Sequence, residues 1–365
     1  MSDVYLDYNA TAPVRPQVAE AVAQTLGTVG NPSSVHGFGR RARRALEDAR
    51  AEVAALAGAS PEAVAFTGSG TEANNWALSS RPRVLASAVE HDSVLAGATE
   101  RIPVDGNGRV DPAAVDEYLA ADDAPALVSV MLANNETGVV QPVADVAEIA
   151  RRRGARMHTD AVQAAGRLAL DMDALDVDLL TLSAHKLGGP QGVGALVVRN
   201  VELAPLLRGG GQERRRRAGT ENVAGIVGFG VAARLALDER VARMAVLAKL
   251  RDDLEARIRA IAPDATIFGR DAERLPNTSC LAMPGVAAEL QVMDLDLAGV
   301  AVSAGAACSS GKVQASHVLS AMGAGNTAGQ AIRVSLGWAT TAEDVDRFVA
   351  AWEKLYRRLG AARAA

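Results

Sequence analysis

The stretch VAFTGSGTEANNWAL, residues 64–78, reads as a short apolar strand over 64–67 that enters a glycine turn and then a helix. Strand, glycine-rich turn and helix in succession form the elementary unit of an α/β protein. The alternation continues downstream. Residues 83–89 and 126–132 are further apolar strands, and 156–159, 179–183 and 194–198 are three more. Helical stretches begin at Asp92 and cover 143–153. Strands that are apolar throughout, spaced by helices, predict a mainly parallel sheet covered on both faces.

After Asn222 the texture changes. A long helical region leads to Pro263, and shorter strands follow over 278–283, 300–303 and 331–335. A last amphipathic helix starts near Thr341. The expected division is a large α/β domain over 16–241 and a smaller α/β domain made of 1–15 and 242–365.

With 365 residues the chain is about two to three times the usual domain size, which suits two lobes. Hydrophobic residues make up 49% and charged residues 22%, values that exclude a disordered or fibrous chain. A net charge of −5 argues against a general binder of nucleic acid or anionic membrane. Cysteine occurs only at 280 and 308, with no zinc spacing, so a reduced cytoplasmic compartment is expected and no metal site. The start, MSDVYLDYNATAP, lacks the basic region and apolar run of a signal peptide. The most apolar helix candidate, 223–237, contains Arg234 and is too short for a membrane span.

Scarcity sorts the lysines. Lys249 and Lys354 lie in charged amphipathic helices, and Lys312 in a Gly/Ser loop. Lys186 instead follows VDLLTLSAH and precedes LGGPQGVGALVV, where a buried strand ends in a glycine turn. It is either a lone lysine capping a strand or a desolvated amine able to form a Schiff base. Asp160, in HTDAVQAAG, is an ordinary turn acid or the partner of a pyridinium nitrogen. His158 and Asp160 could supply half a metal site, but no third ligand stands at useful spacing. The helix start at GSGTEAN suits an anion, with Thr71 adding a hydroxyl. Gly68, Gly70 and Ala73 also fit a loose dinucleotide fingerprint, with Glu90 twenty residues beyond Gly70. Cys280 reads as a buried, inert thiol, and Cys308, in SAGAACSSGK, as accessible. His91 is a core histidine or a proton donor at a cofactor ring, and Arg333 pairs with a structural acid or grips a substrate carboxylate.

Taken together, YLDYNATAPV, NPSSVHGFGRRAR, FTGSGTEANN, VEHDSV, NNETGVVQP, HTDAVQAAG, SAHKLGGPQGVGAL, GGGQERRRRAGTEN, VSAGAACSSG and IRVSLG resemble the NifS/IscS-type cysteine desulfurases, pyridoxal-phosphate enzymes of the class V aminotransferase superfamily. The motifs stand in family order along nearly the whole chain. The resemblance implies the fold type I architecture: a mainly parallel seven-stranded sheet between helices, with a smaller α/β domain carrying the cysteine loop.

It also implies roles. Lys186 would bind pyridoxal 5'-phosphate and move protons; Asp160 would pair with the ring nitrogen and Gln163 with the ring hydroxyl. His91 would stack on the ring and assist proton transfer. Gly70, Thr71, Ser183 and His185 would hold the phosphate, with Thr220 reaching it from the neighbouring subunit of a homodimer. Asn135 and Arg333 would orient the substrate, L-cysteine. Cys308 would take its sulfur as a persulfide, release alanine, and pass sulfur to an acceptor or scaffold protein of iron–sulfur cluster assembly or another thiolation route. The 303–323 loop resembles the long loop of this group. Arg214 and Arg217 match family positions; Arg215 and Arg216 are extra and read as solvated. The loop continues KVQASHVL where the family often has an acid followed by proline, and AARAA follows the last helix without the family's scaffold-docking extension.

Overall fold

The computed structural model describes residues 3–199, 201–305 and 316–359. The strands are β1 (Val4–Tyr5), β2 (Val64–Thr67), β3 (Arg83–Ser87), β4 (Glu100–Ile102), β5 (Ala126–Ser129) and β6 (Arg156–Asp160). Then come β7 (Leu179–Ser183), β8 (Gly194–Val198), β9 (Thr266–Ile267), β10 (Thr278–Ala282), β11 (Val300–Ala301) and β12 (Ala331–Ser335). Seven form the central sheet in the order β2-β8-β7-β6-β5-β3-β4. Only β8 runs against its neighbours, so the sheet is mainly parallel, as expected. Strands β2, β3, β5, β7 and β8 are buried at every position, the consequence of helices on both faces.

The helix Val143–Arg152 illustrates how sequence sets this packing. It buries Val143, Val146, Ala147, Ile149 and Ala150 at helical spacing, while Arg151 and Arg152 in its last turn complement the helix dipole. A second core lies around β10 and β12 and the final helix, Ala342–Leu359, which buries Val345, Phe348, Val349, Trp352 and Leu355. The 39-residue helix Val223–Ile261 serves both cores, with Ile226 and Phe229 in the first and Leu247, Leu254 and Ile258 in the second. Its Gly230 packs directly on the helix Gly37–Ala57, where a Cβ would stand 2.7 Å from Ala49 Cα.

The structure differs from the sequence reading in a few places. Val89, Val130, Met131 and Leu132 are buried, yet the ladders stop at Ser87 and Ser129. Those apolar residues continue inward beyond the strand ends, where the Val130 and Leu132 N–H groups still donate to His158 O at 3.1 Å and Asp160 O at 3.0 Å. The edge strand β4 was not expected; it is three residues long and exposes Arg101. Within the 303–323 loop, residues His317–Ala321 form a helix capped by Ser316, whose Oγ accepts the Leu319 N–H.

Candidate active site

The carboxyl ends of β2, β3, β5, β6 and β7 open on one side of the sheet, the place where open α/β sheets bind ligands. A cavity of about 630 Å³ lies there, and all the sequence-predicted site residues that the structure describes line it, except Thr220. Thr220 is exposed and borders a separate hollow beside Arg217 and Glu221. Cys308 lies outside the described residues; Ser303, Gly305 and His317, on either side of that segment, border the cavity.

Lys186 ends a short turn after β7. Its Nζ donates to the carbonyl oxygens of Asn9 at 2.5 Å and Ala10 at 2.7 Å. Burial lowers its pKa to about 7, helped by the positive charges of Arg333 and Arg167. An uncharged amine keeps two N–H groups, so both bonds survive loss of the proton. The desolvated reading of Lys186 is the one that fits.

Asp160 ends β6 with both oxygens engaged. Oδ1 accepts the Val162 N–H at 2.9 Å and Oδ2 accepts Asn74 Nδ2 at 2.7 Å. The Asn74 amide also donates to Ser93 Oγ at 2.9 Å, and Ser93 Oγ stands 2.8 Å from His91 Nδ1. His91 caps the short helix Asp92–Leu95, its Nδ1 accepting the Ser93 N–H. Its ring is exposed to the cavity rather than packed in the core.

Gln163 is pinned on both sides: its Nε2 donates to Asn9 O at 3.0 Å and its Oε1 accepts Arg167 Nη1 at 2.5 Å. Arg333 pairs with Asp7 at 2.7 Å and donates to Asn135 O at 3.0 Å. Its Nε and Asn135 Oδ1 are buried without partners, so both groups keep polar capacity for a ligand.

The helix Gly70–Leu78 begins at the cavity wall, its cap Ser69 accepting the Glu72 N–H. Ser183 stands beside Gly70: a Cβ added there would meet Ser183 Cβ at 3.4 Å and Val162 at 3.2 Å. Gly194 of β8 lets this turn sit close, since its Cβ would fall 2.5 Å from the Ser69 carbonyl carbon. Backbone N–H groups at a helix start, with the Thr71 and Ser183 hydroxyls alongside, could receive an anion such as a phosphate. His185 Nδ1 is 3.1 Å from Thr11 Oγ1, and burial lowers its pKa to about 4.

Several other readings are now decided. Glu90 is fully buried, accepting from Ser87 Oγ at 2.5 Å and the Met131 N–H at 2.7 Å, so it is not presented to a ribose. His158 sits within the sheet between Ser129 Oγ at 2.8 Å and Thr181 Oγ1 at 3.0 Å. Cys280 is buried and its thiol pKa is pushed up by desolvation, as an inert thiol requires. Arg216 is a correction: it is half-buried and donates to Glu62 O at 3.1 Å instead of standing in solvent. Asn9, Asn74, Ser93 and Arg167 were not assigned from sequence. Asn9, Asn74 and Ser93 are marked only by their inclusion in YLDYNATAPV, FTGSGTEANN and VEHDSV, and Arg167 by none of these motifs.

The aminotransferase class-V family pattern matches residues 4–348. A cysteine desulfurase of Cereibacter sphaeroides is 48% identical, over 96% of this chain and 94% of that protein. The X-ray structure of a NifS-like protein from Rickettsia africae ESF-5 superposes with a TM-score of 0.91 at 36% identity, covering 97% of this chain and 99% of that one. The structure of SspA in complex with cysteine covers 91% of this chain and 98% of its own, with a TM-score of 0.79 and 29% identity.

Proposed function

The chain belongs to the aminotransferase class-V family as a cysteine desulfurase of the NifS/IscS kind, and we propose that it works with pyridoxal 5'-phosphate bound at Lys186 and passes sulfur through Cys308. The observation that carries the assignment of Lys186 is its place at the end of the turn after β7, its Nζ held by the Asn9 and Ala10 carbonyls in the cavity it shares with Asp160 and the start of the helix Gly70–Leu78.

The residues fit that group. Gly70, Thr71, Ser183 and His185 receive the phosphate, and the absence of a side chain at Gly70 leaves room for it. Asp160 would hold the ring nitrogen, Gln163 the ring hydroxyl, and His91 the ring face, all three lining the cavity. When bound, pyridoxal phosphate supplies an electron sink for bond breaking next to the substrate amine. Lys186 would hold the cofactor through its amine and would take up and return the proton at substrate Cα. Arg333 orients the L-cysteine carboxylate with the Nε–H left free inside the site, and Asn135 Oδ1, an acceptor, faces the substrate amine. The bound ligand of SspA supports the substrate.

Cys308 supplies a thiol that attacks the substrate sulfur. A sulfur–sulfur bond forms as the substrate carbon–sulfur bond breaks, its electron pair returns to carbon, and that carbon gains a proton. The products are L-alanine and a Cys308 persulfide. Sulfur acceptance by a partner protein of iron–sulfur assembly or thiolation belongs to the same proposal.

A homodimer is included because Thr220 is exposed and lies away from its own cavity, in keeping with a group that reaches a neighbouring site. The division into 16–241 and 1–15 with 242–365 is supported by the two cores that share the helix Val223–Ile261. A cytoplasmic location rests on cysteine scarcity; among the described residues no helix is long and apolar enough to cross a membrane.

The experiment is direct. Protein supplied with pyridoxal phosphate turns yellow and releases alanine and sulfide from L-cysteine in the presence of a thiol reductant. Lys186→Ala loses both properties, with activity down by about a hundredfold to ten-thousandfold or more. A wild-type protein that takes up no pyridoxal phosphate overturns the proposal.

A further inference from the structure

We propose that Asn74 and Ser93 are positioning residues that join Asp160 and His91 into one hydrogen-bonded unit and present His91 to the cavity as an Nε2–H donor. The inference rests on the proposed roles of Asp160 and His91 at the cofactor, and it adds a direction to each hydrogen bond between them.

The directions follow from donor and acceptor inventory. An ionised carboxylate only accepts, so the edge of the Asn74 amide that faces Asp160 Oδ2 is its NH2 group. The second N–H of that group goes to Ser93 Oγ, while Asn74 Oδ1 is buried without a partner. Flipping the amide would set its oxygen against the Asp160 carboxylate and against the Ser93 hydroxyl's acceptor side, so the unflipped orientation is fixed. Ser93 Oγ, having accepted from Asn74, turns its proton to His91 Nδ1 at 2.8 Å. A backbone amide can only donate, and the Ser93 N–H also points at His91 Nδ1, at 3.1 Å. Two donors converge on Nδ1, so in the neutral ring the proton sits on Nε2.

Asn74 and Ser93 are buried, at 1% and 8% exposure, which shields these bonds from competing water. The cofactor's acid and the ring-facing histidine are thereby tied through three bonds. Any reaction step in which His91 first acts does so by giving the Nε2 proton, not by accepting one at Nδ1.

The test is nitrogen NMR of protein labelled with 15N-histidine, recorded with and without pyridoxal phosphate. His91→Asn identifies the His91 signals among the five histidines. Wild-type His91 is expected to show an unprotonated Nδ1 and a protonated Nε2. Asn74→Ala is expected to move the Nδ1 resonance, although Asn74 does not touch the ring, because the Ser93 hydroxyl loses its orientation. In a Ser93→Ala background the same Asn74 substitution should move it no further, and Ser93→Thr should restore the wild-type position. The buried His158 signals report in the same spectra that each variant is folded. A proton on Nδ1 in the wild type, an unmoved resonance in Asn74→Ala, or additive shifts in the double variant overturns the proposal. Because the spectra need neither cofactor nor substrate, loss of the relay in an active desulfurase is distinct from failure of the desulfurase assignment.

Discussion

Lys186 Nζ lies 2.5 Å from the carbonyl oxygen of Asn9, so a residue near the start of the chain holds the amine of one beyond the middle. Asn9 is 1% exposed and also accepts Gln163 Nε2 on the same oxygen, while its side chain donates to Asn135 O and Thr278 Oγ1. The N-terminal segment is therefore part of the site's wall.

The reactivity of Lys186 should follow its lowered pKa. Trace labelling with an amine-specific acylating reagent, followed peptide by peptide, should give half-maximal reactivity of Lys186 near pH 7. Arg333→Met removes the larger of the two neighbouring positive charges acting on the amine and should shift that midpoint upward. For stability the sign is fixed by linkage: between about pH 7 and the model-peptide value the unfolded chain binds more protons at this lysine, so its contribution makes the protein more stable as pH rises. An unshifted Lys186 midpoint in the Arg333 variant would contradict this electrostatic account.

Glu90 should act in the opposite direction. Burial raises its pKa from 4.5 to about 8, so across that window the folded state binds more protons. Stability from this group is present below pH 4.5 and is lost as pH rises toward 8. Glu90→Gln keeps an acceptor for Ser87 and Met131 and removes the titration. Urea unfolding of the two proteins at a series of pH values should show a flatter profile for the variant.

The loop that leads to Thr220 depends on a buried ion pair. Arg50 Nη1 and Nη2 meet Glu213 Oε2 and Oε1 at 2.7 and 2.9 Å, and the Phe66 N–H adds a third bond. The pair holds three consecutive residues in left-handed backbone, Glu213, Arg214 and Arg215, with φ of 45°, 56° and 66°. Removing one partner leaves an uncompensated buried charge, so Arg50→Met or Glu213→Ala should each cost about 3–5 kcal/mol. Chemical denaturation checks this, and the double variant should lose less than the sum.

The parts of this molecule that are legible in sequence are those where one residue type reports one environment. Apolar strands such as 179–183 and 194–198 mark a buried parallel sheet because helices cover both faces. Lys186 and Asp160 stand out because each follows such a strand. Apolar character reports burial and not the extent of a ladder, so Val89 reads as strand although its ladder ends at Ser87. Asn9 and Asn74 act through hydrogen bonds to distant partners, Asn9 and Lys186 being 177 positions apart and Asn74 and Asp160 86 apart, and nothing in their local sequence encodes those partners. Arg216 is extra to the family positions and so reads as solvated, but the turn at Glu213–Arg215 directs it onto Glu62 O.

The most direct measurement is a single turnover. Enzyme carrying pyridoxal phosphate is mixed with one equivalent of L-cysteine without reductant, and alanine is counted while peptides are weighed by mass spectrometry. The account expects alanine in step with one added sulfur atom on the peptide containing Cys308, and neither in Lys186→Ala. Alanine formed without added sulfur on Cys308, or sulfur on Cys280 instead, would contradict it.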